Sequence, residues 1–399
     1  MGRLILKPGK ERSLLHRHPW LFAGAVDRVE GRVSPGATVA LHASDGRFLA
    51  RAAYSPESAI RARVWTFDEA EPVDHAFIKR RIQRALALRA GQVRGTGAVR
   101  LVFGEADGMP GLVVDHYRSL DGQRQQLVCQ FMAVGVDVWK KAIVDALTRE
   151  TGCEHVYERS DASVREKEGL QQTTGVLAGD EPPELLLVEE GGVRYQIDVR
   201  NGHKTGFYID QRDSRALIAR HAAGRDVLNC FCYTGGFSLA ALKGGAASVL
   251  SVDSSGEALA HARANVLANG FDAGRAQWLD ADAFRTLRSL HQDGRQFDLI
   301  VLDPPKLAPS QQHVDRAARA YKDINLTGLK LLRPGGLLAT FSCSGAIGAP
   351  LFQKIVADAA ADAGVDLRIL DRLGAGADHP MLASFPEGEY LKGLWLQRI

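Results

Sequence analysis

A chain of 399 residues exceeds what one ordinary hydrophobic core holds, so two or three domains are expected. With 45% hydrophobic and 24% charged residues it has a globular composition, and no apolar run approaches the roughly 18 to 20 residues that span a bilayer. The first residues lack a signal-peptide core, so a cytoplasmic protein with no membrane partner is expected; a formal net charge of +3 is too small to announce nucleic acid by itself.

The charge is unevenly placed. Through Phe67, eleven Lys and Arg stand against five Asp and Glu, which suits a phosphate-contacting surface and equally a solvated basic face. Strands are expected at Arg3–Leu6, Thr38–Leu41, Phe48–Tyr54 and Ile60–Phe67, separated by the turn formers Ser34-Pro35-Gly36 and Ser44-Asp45-Gly46-Arg47. Alternation places Arg61 and Arg63 on one face of the last strand. Residues 1–72 therefore read as a small, basic, mostly β module.

After Pro72, Phe77, Ile78, Ile82, Ala85, Leu86 and Leu88 fall largely at helical spacing, with Lys79, Arg80, Arg81, Arg84 and Arg89 between them. A linker helix with a solvated basic face is expected. Strands at Leu112–Asp115 and Leu127–Met132, a helix over about 136–149 and a strand around His155–Arg159 then read as a small α+β domain, giving a second unit over 73–185. Arg159, Arg165 and Lys167 read as exposed bases facing RNA or solvent. Gly191-Gly192 between two strand-like runs predicts a hairpin that opens the third unit, 186–399.

From Asp226 onward the pattern alternates. Strands are expected at Val227–Cys230, Ser248–Val252, Gln277–Leu279, Leu299–Leu302 and Leu337–Phe341, with helices over 236–242, 257–268, 283–290, about 312–332 and 349–361. Right-handed crossovers turn this order into a doubly wound α/β sheet. The runs Leu367–Leu370 and Tyr390–Leu396 leave no room for a crossover helix, so an antiparallel pair at the sheet edge is expected.

Chemistry concentrates at the carboxyl ends of these strands, where open α/β sheets bind ligands. The loop Asn229-Cys230-Phe231-Cys232-Tyr233-Thr234-Gly235-Gly236-Phe237 allows close backbone approach but lacks the Gly-x-Gly-x-x-Gly cue for a pyrophosphate. Asp253 is placed to hold ribose hydroxyls. Asp282 can accept from an amino group beside a side chain flanking a flat ring. Asp303-Pro304-Pro305 ends the fourth strand in a stiff loop. Each acid alone also suits a helix N-cap; together they fit an adenosyl cofactor bearing a sulfonium. Five cysteines are an odd count without framework spacing, and Cys230-x-Cys232 has no second ligand pair, so neither disulfides nor a metal is expected.

At these residues the chain resembles class I S-adenosylmethionine-dependent methyltransferases, and closely the large-subunit 23S rRNA (cytosine-5) methyltransferases. The resemblance rests on Arg17-His18-Pro19-Trp20, Ala53-Tyr54-Ser55-Pro56, Gly202-His203-Lys204-Thr205-Gly206, Tyr208–Arg215, Tyr233–Phe237, Asp303–Lys306, Tyr321–Asn325 and Phe341–Gly345, and covers nearly the whole chain. It implies a PUA RNA-binding domain, a central strand-strand-helix-strand-strand (EEHEE) domain and a Rossmann-like catalytic domain. It also implies S-adenosyl-L-methionine as cofactor, held by Gln211, Arg212, Asn229, Tyr233, Thr234, Gly235, Asp253, Asp282, Asp303 and Pro304. The implied partner is 23S rRNA or a large-subunit assembly intermediate, contacted by Arg17, Arg61, Arg63 and Lys306; a homodimer is left open. Two positions depart from the family: Leu307 stands where an aromatic often follows the motif, and Cys232 sits in the cofactor loop.

Cys343 follows the fifth strand, so topology brings it beside Asp303. Carbon 5 of cytosine is not nucleophilic until a thiolate adds to carbon 6, and the resemblance assigns Cys343 that role with Asp303 gripping the base. Ser342, Ser344 and Lys306 are candidates to favour the thiolate. Two other readings stay open: amino methylation of guanine or adenine, which Asp-Pro-Pro also suits, and a noncatalytic RNA-binding or ribosome-assembly factor.

Overall fold

The computed structural model describes residues 2–308 and 310–399. The chain divides into two compact units: Met1–Glu189 with Ile197–Ile209 and Ala377–Gly388, and Glu190–Gln196 with Asp210–Gly376 and Glu389–Ile399. In the first unit, β1 (Arg3–Leu6), helix α1 (Arg12–Leu15), β2 (Trp20–Phe22), β3 (Val26–Glu30), β4 (Thr38–His42), β5 (Phe48–Tyr54) and β6 (Ile60–Thr66) build a six-stranded sheet of order β2-β6-β5-β4-β1-β3. Leu4, Leu6, Val39, Leu41, Ala50, Ala52, Ala62 and Val64 fill its core. The four expected strands are present; β2, β3 and α1 are additions, being too short or too polar to carry a period.

Helix α2 (His75–Gln92) starts where the Asp74 side chain accepts the Phe77 N–H, a cap that satisfies one of the free N–H groups of the first turn. It buries Phe77, Ile78, Ile82 and Ala85. These pack on a five-stranded sheet, order β11-β10-β9-β8-β7, built from β7 (Ala98–Phe103), β8 (Leu112–Arg118), β9 (Gln125–Phe131), β10 (Val156–Ser160) and β11 (Thr173–Ala178). Helices α3 (Val134–Val138) and α4 (Lys140–Thr151) replace the single expected helix, with a break at Trp139. β12 (Leu186–Glu190) and β13 (Val193–Ile197) pair around Gly191 and Gly192, both at positive φ.

Four arginines expected to be exposed are buried instead: Arg63, read as an RNA contact, Arg159 and Arg165, read as facing RNA or solvent, and Arg89, read on a solvated helix face. Arg63, 8% exposed, reaches Glu105 at 3.3 Å and Glu168 at 3.0 Å and lies over the Trp20 ring. Arg89 makes a two-pronged pair with Asp107 at 2.6 and 2.8 Å. Arg159 donates to the Val199 and Gly202 carbonyls, and Arg165 to those of Phe131 and Gln171. Their guanidiniums satisfy internal acceptors, and the planar fork suits that use. Lys167 stays exposed, as expected.

The second unit is organised on a seven-stranded sheet, order β16-β15-β14-β17-β18-β20-β19. Its strands are β14 (Asp226–Cys230), β15 (Ser248–Asp253), β16 (Ala276–Asp280), β17 (Phe297–Leu302), β18 (Leu332–Ser342), β19 (Leu367–Gly374) and β20 (Lys392–Arg398). Leu299 to Leu302 are all buried, as a parallel strand covered on both faces requires. The first five strands run parallel, and β20 pairs antiparallel with both β18 and β19. Helices α5 (Arg212–His221), α6 (Gly236–Lys243), α7 (Gly256–Ala268), α8 (Ala283–Gln292), α9 (Val314–Leu331) and α10 (Ala349–Ala363) complete the α/β layers. The expected strands, helices and antiparallel edge pair are all present. Helix α5 is the addition.

Candidate active site

The strand order reverses between β14 and β17, whose carboxyl ends lie side by side with Cys230 opposite Leu302. A crevice opens at such a switch point, and ligands of doubly wound sheets bind there. After β14 the chain turns through Phe231 (φ 61°), Tyr233 (φ 48°) and Gly235 (φ 83°) before α6 begins. Two non-glycine residues in the left-handed region are costly, and such conformations concentrate where backbone must meet a ligand. At Gly235 a Cβ would stand 3.0 Å from Trp278 and 3.1 Å from Ala262, so the backbone there must stay bare.

Asp253 closes this loop. One carboxylate oxygen accepts the Tyr233 N–H at 2.8 Å, the other the Ser255 N–H at 3.0 Å. Asp282 caps α8, accepting the Arg285 N–H at 2.9 Å, while Phe284 of that helix meets Phe231 edge to face at 5.9 Å. Asn229 donates to Ser238 at 2.8 Å; its Oδ1 is buried without a hydrogen-bond partner among the described residues. Ahead of α5, buried Gln211 donates to Asp303 Oδ2 at 3.1 Å, and its Oε1 is likewise without a partner. Arg212 and Arg215 both pair with Glu190, at 3.4 and 2.7 Å.

The other wall carries the thiol. Cys343 follows β18, and its Sγ lies 4.0 Å from the Pro304 carbonyl. Of the five cysteines it alone is partly exposed; Cys129, Cys153, Cys230 and Cys232 are buried. Burial pushes the Cys230 thiol up, and burial together with the Asp253 carboxylate does the same to Cys232, so both stay protonated and unreactive. Ser342 and Ser344 were expected beside the thiol as activators; both are fully buried and hydrogen-bond the Tyr321 hydroxyl at 2.9 and 3.1 Å. Ser344 Oγ also accepts the Ala308 N–H at 3.0 Å. They tie the Cys343 loop to the Asp303–Ala308 loop instead. Lys306 is exposed, and Leu307 packs against the core of this unit.

Comparison with known proteins decides what this crevice belongs to. Residues 166–390 match the S-adenosylmethionine-dependent methyltransferase family, and residues 4–67 match a PUA-like domain. The chain is 49% identical over 394 residues to "Ribosomal RNA large subunit methyltransferase I" of Shewanella amazonensis, covering 98% of both chains, and 47% identical over 392 residues to the protein of that name from Aliivibrio fischeri, again covering 98% of both. It belongs to the S-adenosylmethionine-dependent methyltransferases, among the ribosomal RNA large subunit methyltransferase I proteins. A solved SAM-dependent methyltransferase from Streptococcus mutans shares the methyltransferase's fold, at 22% identity, TM-score 0.84 and full coverage of both chains. A second solved methyltransferase, complexed with SAH, does so at 23% identity and TM-score 0.85, again over both full chains.

The residues of the crevice fit S-adenosylmethionine. Around the ends of these strands the methyltransferase gathers a positive-φ glycine, the carboxylates of Asp253 and Asp303, and buried amide oxygens of Asn229 and Gln211 that have no hydrogen-bond partner among the described residues. This is an acceptor-rich set for hydroxyl, amino and ammonium donors, without the Gly-x-Gly-x-x-Gly pattern of a pyrophosphate site. Asp253→Ala is expected to weaken S-adenosylmethionine binding by about tenfold or more, because it removes both an acceptor and the Tyr233 latch. Calorimetric titration with an unchanged Kd would exclude Asp253 from the cofactor site.

Proposed function

We propose that this methyltransferase acts on carbon 5 of a cytosine in 23S rRNA through a covalent bond between Cys343 and carbon 6. The observation that carries the reading is a partly exposed thiol 4.0 Å from the Pro304 carbonyl, at the edge where Asp303 stands. Amino methylation needs no such thiol.

Thiolate addition to carbon 6 breaks the aromatic π-system and makes carbon 5 an enamine carbon able to attack an electrophile. Bound S-adenosylmethionine supplies that electrophile, a methyl group on a sulfonium. Once carbon 5 carries the methyl group it gives its proton to a base or to solvent, and the electron pair of that bond restores the carbon 5–carbon 6 double bond as the bond to Cys343 breaks and the thiolate leaves by β-elimination. Asp303, held by Gln211, is suited to grip the N3 and N4 edge of the base and to favour the protonated adduct. Gln211, Arg212, Asn229, Tyr233, Thr234, Gly235, Asp253, Asp282 and Pro304 form the cofactor side in this reading. Arg17, exposed over the Phe67 ring, half-buried Arg61 and exposed Lys306 remain as RNA contacts; buried Arg63 is withdrawn from that set.

Large-subunit rRNA made with 5-fluorocytosine tests the chemistry, because fluorine cannot leave as the carbon-5 proton does. Incubation with the protein and S-adenosylmethionine is expected to give a denaturant-resistant protein–RNA adduct. Methyl transfer to unsubstituted rRNA with no adduct on the fluorinated RNA would instead support amino methylation.

A further inference from the structure

Lys392 is buried, 4% exposed, on a strand whose other early residues are apolar or glycine. It opens β20 directly opposite Ser342, the last residue of β18. Its ammonium donates to the Ser344 carbonyl at 2.9 Å and to the Ile347 carbonyl at 2.7 Å. Both carbonyls belong to the loop that begins with Cys343. Neither acceptor is charged, and among the described residues no carboxylate lies within ion-pair distance of the ammonium; the acid that acts on it is Glu389, itself exposed.

A buried ammonium without a counter-ion is costly, and two carbonyls could be held as well by a neutral donor. Its placement makes sense if an anion forms next to it. Cys343 is the titratable group of that loop, one residue before the Ser344 carbonyl that accepts from the ammonium, while burial lowers the affinity of Lys392 for its proton. The other titratable groups around the thiol act in known directions. Lys306 adds positive charge near the ammonium, Asp303 ends the neighbouring strand β17, and buried Tyr321, whose hydroxyl is held by Ser342 and Ser344, stays neutral because burial raises it.

We propose that Lys392 is a positioning residue that fixes the Cys343 loop through two carbonyls and stabilises the thiolate form of Cys343. The proposal rests on the reading of Cys343 as nucleophile. Its chemistry is that of an ion pair formed only when the thiol ionises, so the charge is neutralised in the reactive state.

The test is the pH profile of iodoacetamide alkylation at Cys343, read on the full chain without cofactor by mass spectrometry of the Cys343 peptide. In the unsubstituted protein the midpoint is expected below the roughly 8.5 of a free cysteine. A midpoint at or above that value overturns the proposal without any variant. Lys392→Met is expected to raise the midpoint by about one unit or more, slowing alkylation at pH 7 about tenfold, and Lys392→Arg to stay within a few tenths of the original. An unchanged profile in folded Lys392→Met also overturns it. Failure of the nucleophile reading shows separately, as methyl transfer that survives Cys343→Ala.

Discussion

Cys343→Ala is expected to abolish both the 5-fluorocytosine adduct and methyl transfer, with a loss on the order of 10⁴-fold or more, as removal of a covalent nucleophile brings. The size follows from the substrate: without addition at carbon 6, carbon 5 stays part of an aromatic ring and cannot attack a methyl group. Cofactor affinity should change little, because Asp253, Asn229 and the Phe231–Gly235 loop are on the other wall of the crevice. Cys230→Ser and Cys232→Ser serve as controls. Cys230 is fully buried in β14 and Cys232 is 5% exposed, and their thiols are held protonated by burial. Both variants should still form the adduct. Liquid chromatography with mass spectrometry of the trapped peptide reads the outcome directly, and an adduct persisting in Cys343→Ala would move the nucleophile elsewhere.

Asp115→Ala is expected to lower stability by about 3 to 5 kcal/mol, the cost of leaving a buried charge without its partner. Asp115 is fully buried in β8. Arg100 donates to its two oxygens, each at 2.8 Å, and the Thr205 hydroxyl donates to one of them at 2.5 Å. With its proton committed to Asp115, Thr205 must accept from the Tyr117 hydroxyl, 2.8 Å away, so the deletion disturbs a chain of four groups. Arg100 also donates its backbone N–H to Asp378 at 3.0 Å. Replacing both partners together, Arg100→Met with Asp115→Leu, should recover most of the loss, since an apolar pair of similar volume leaves no orphaned charge. Urea midpoints of the single and double variants measure it. A single variant within about 1 kcal/mol of the original would show that water reaches the pair and compensates it.

Much of the catalytic unit is legible in the sequence because its signals are local. Leu299–Leu302, ended by Asp303 and two prolines, specifies a buried parallel strand and a stiff exit wherever the segment lies. Alternating strands and helices leave one handed way to wind the sheet, and parallel strands put their carboxyl ends on one edge. That alone brings Asp253, Asp303 and Cys343 to a common rim. Gly235 of the cofactor loop is readable too, because a left-handed conformation favours glycine, whereas Phe231 and Tyr233 adopt it with no mark in the sequence.

Charge does not carry its own address. Arg63, Arg89, Arg159 and Arg165 read as exposed residues until Glu168, Asp107, Val199 and Phe131 come to meet them. Their partners stand from eighteen to more than a hundred residues along the chain, and neither an ion pair nor a bond to a distant carbonyl leaves a periodic trace in either segment. The same holds at the thiol. Ser342 and Ser344 flank Cys343 in sequence yet turn inward to Tyr321, because neighbouring side chains on an extended chain point to opposite sides. Lys392 reaches that loop only because β20 folds back antiparallel on β18 and sets it opposite Ser342. The sequence by itself therefore determined the fold class, the rim and the residue types available there. Tertiary structure alone decided which charges are buried, which groups hold the serines beside the thiol, and that the buried ammonium bound to the Cys343 loop comes from the last strand.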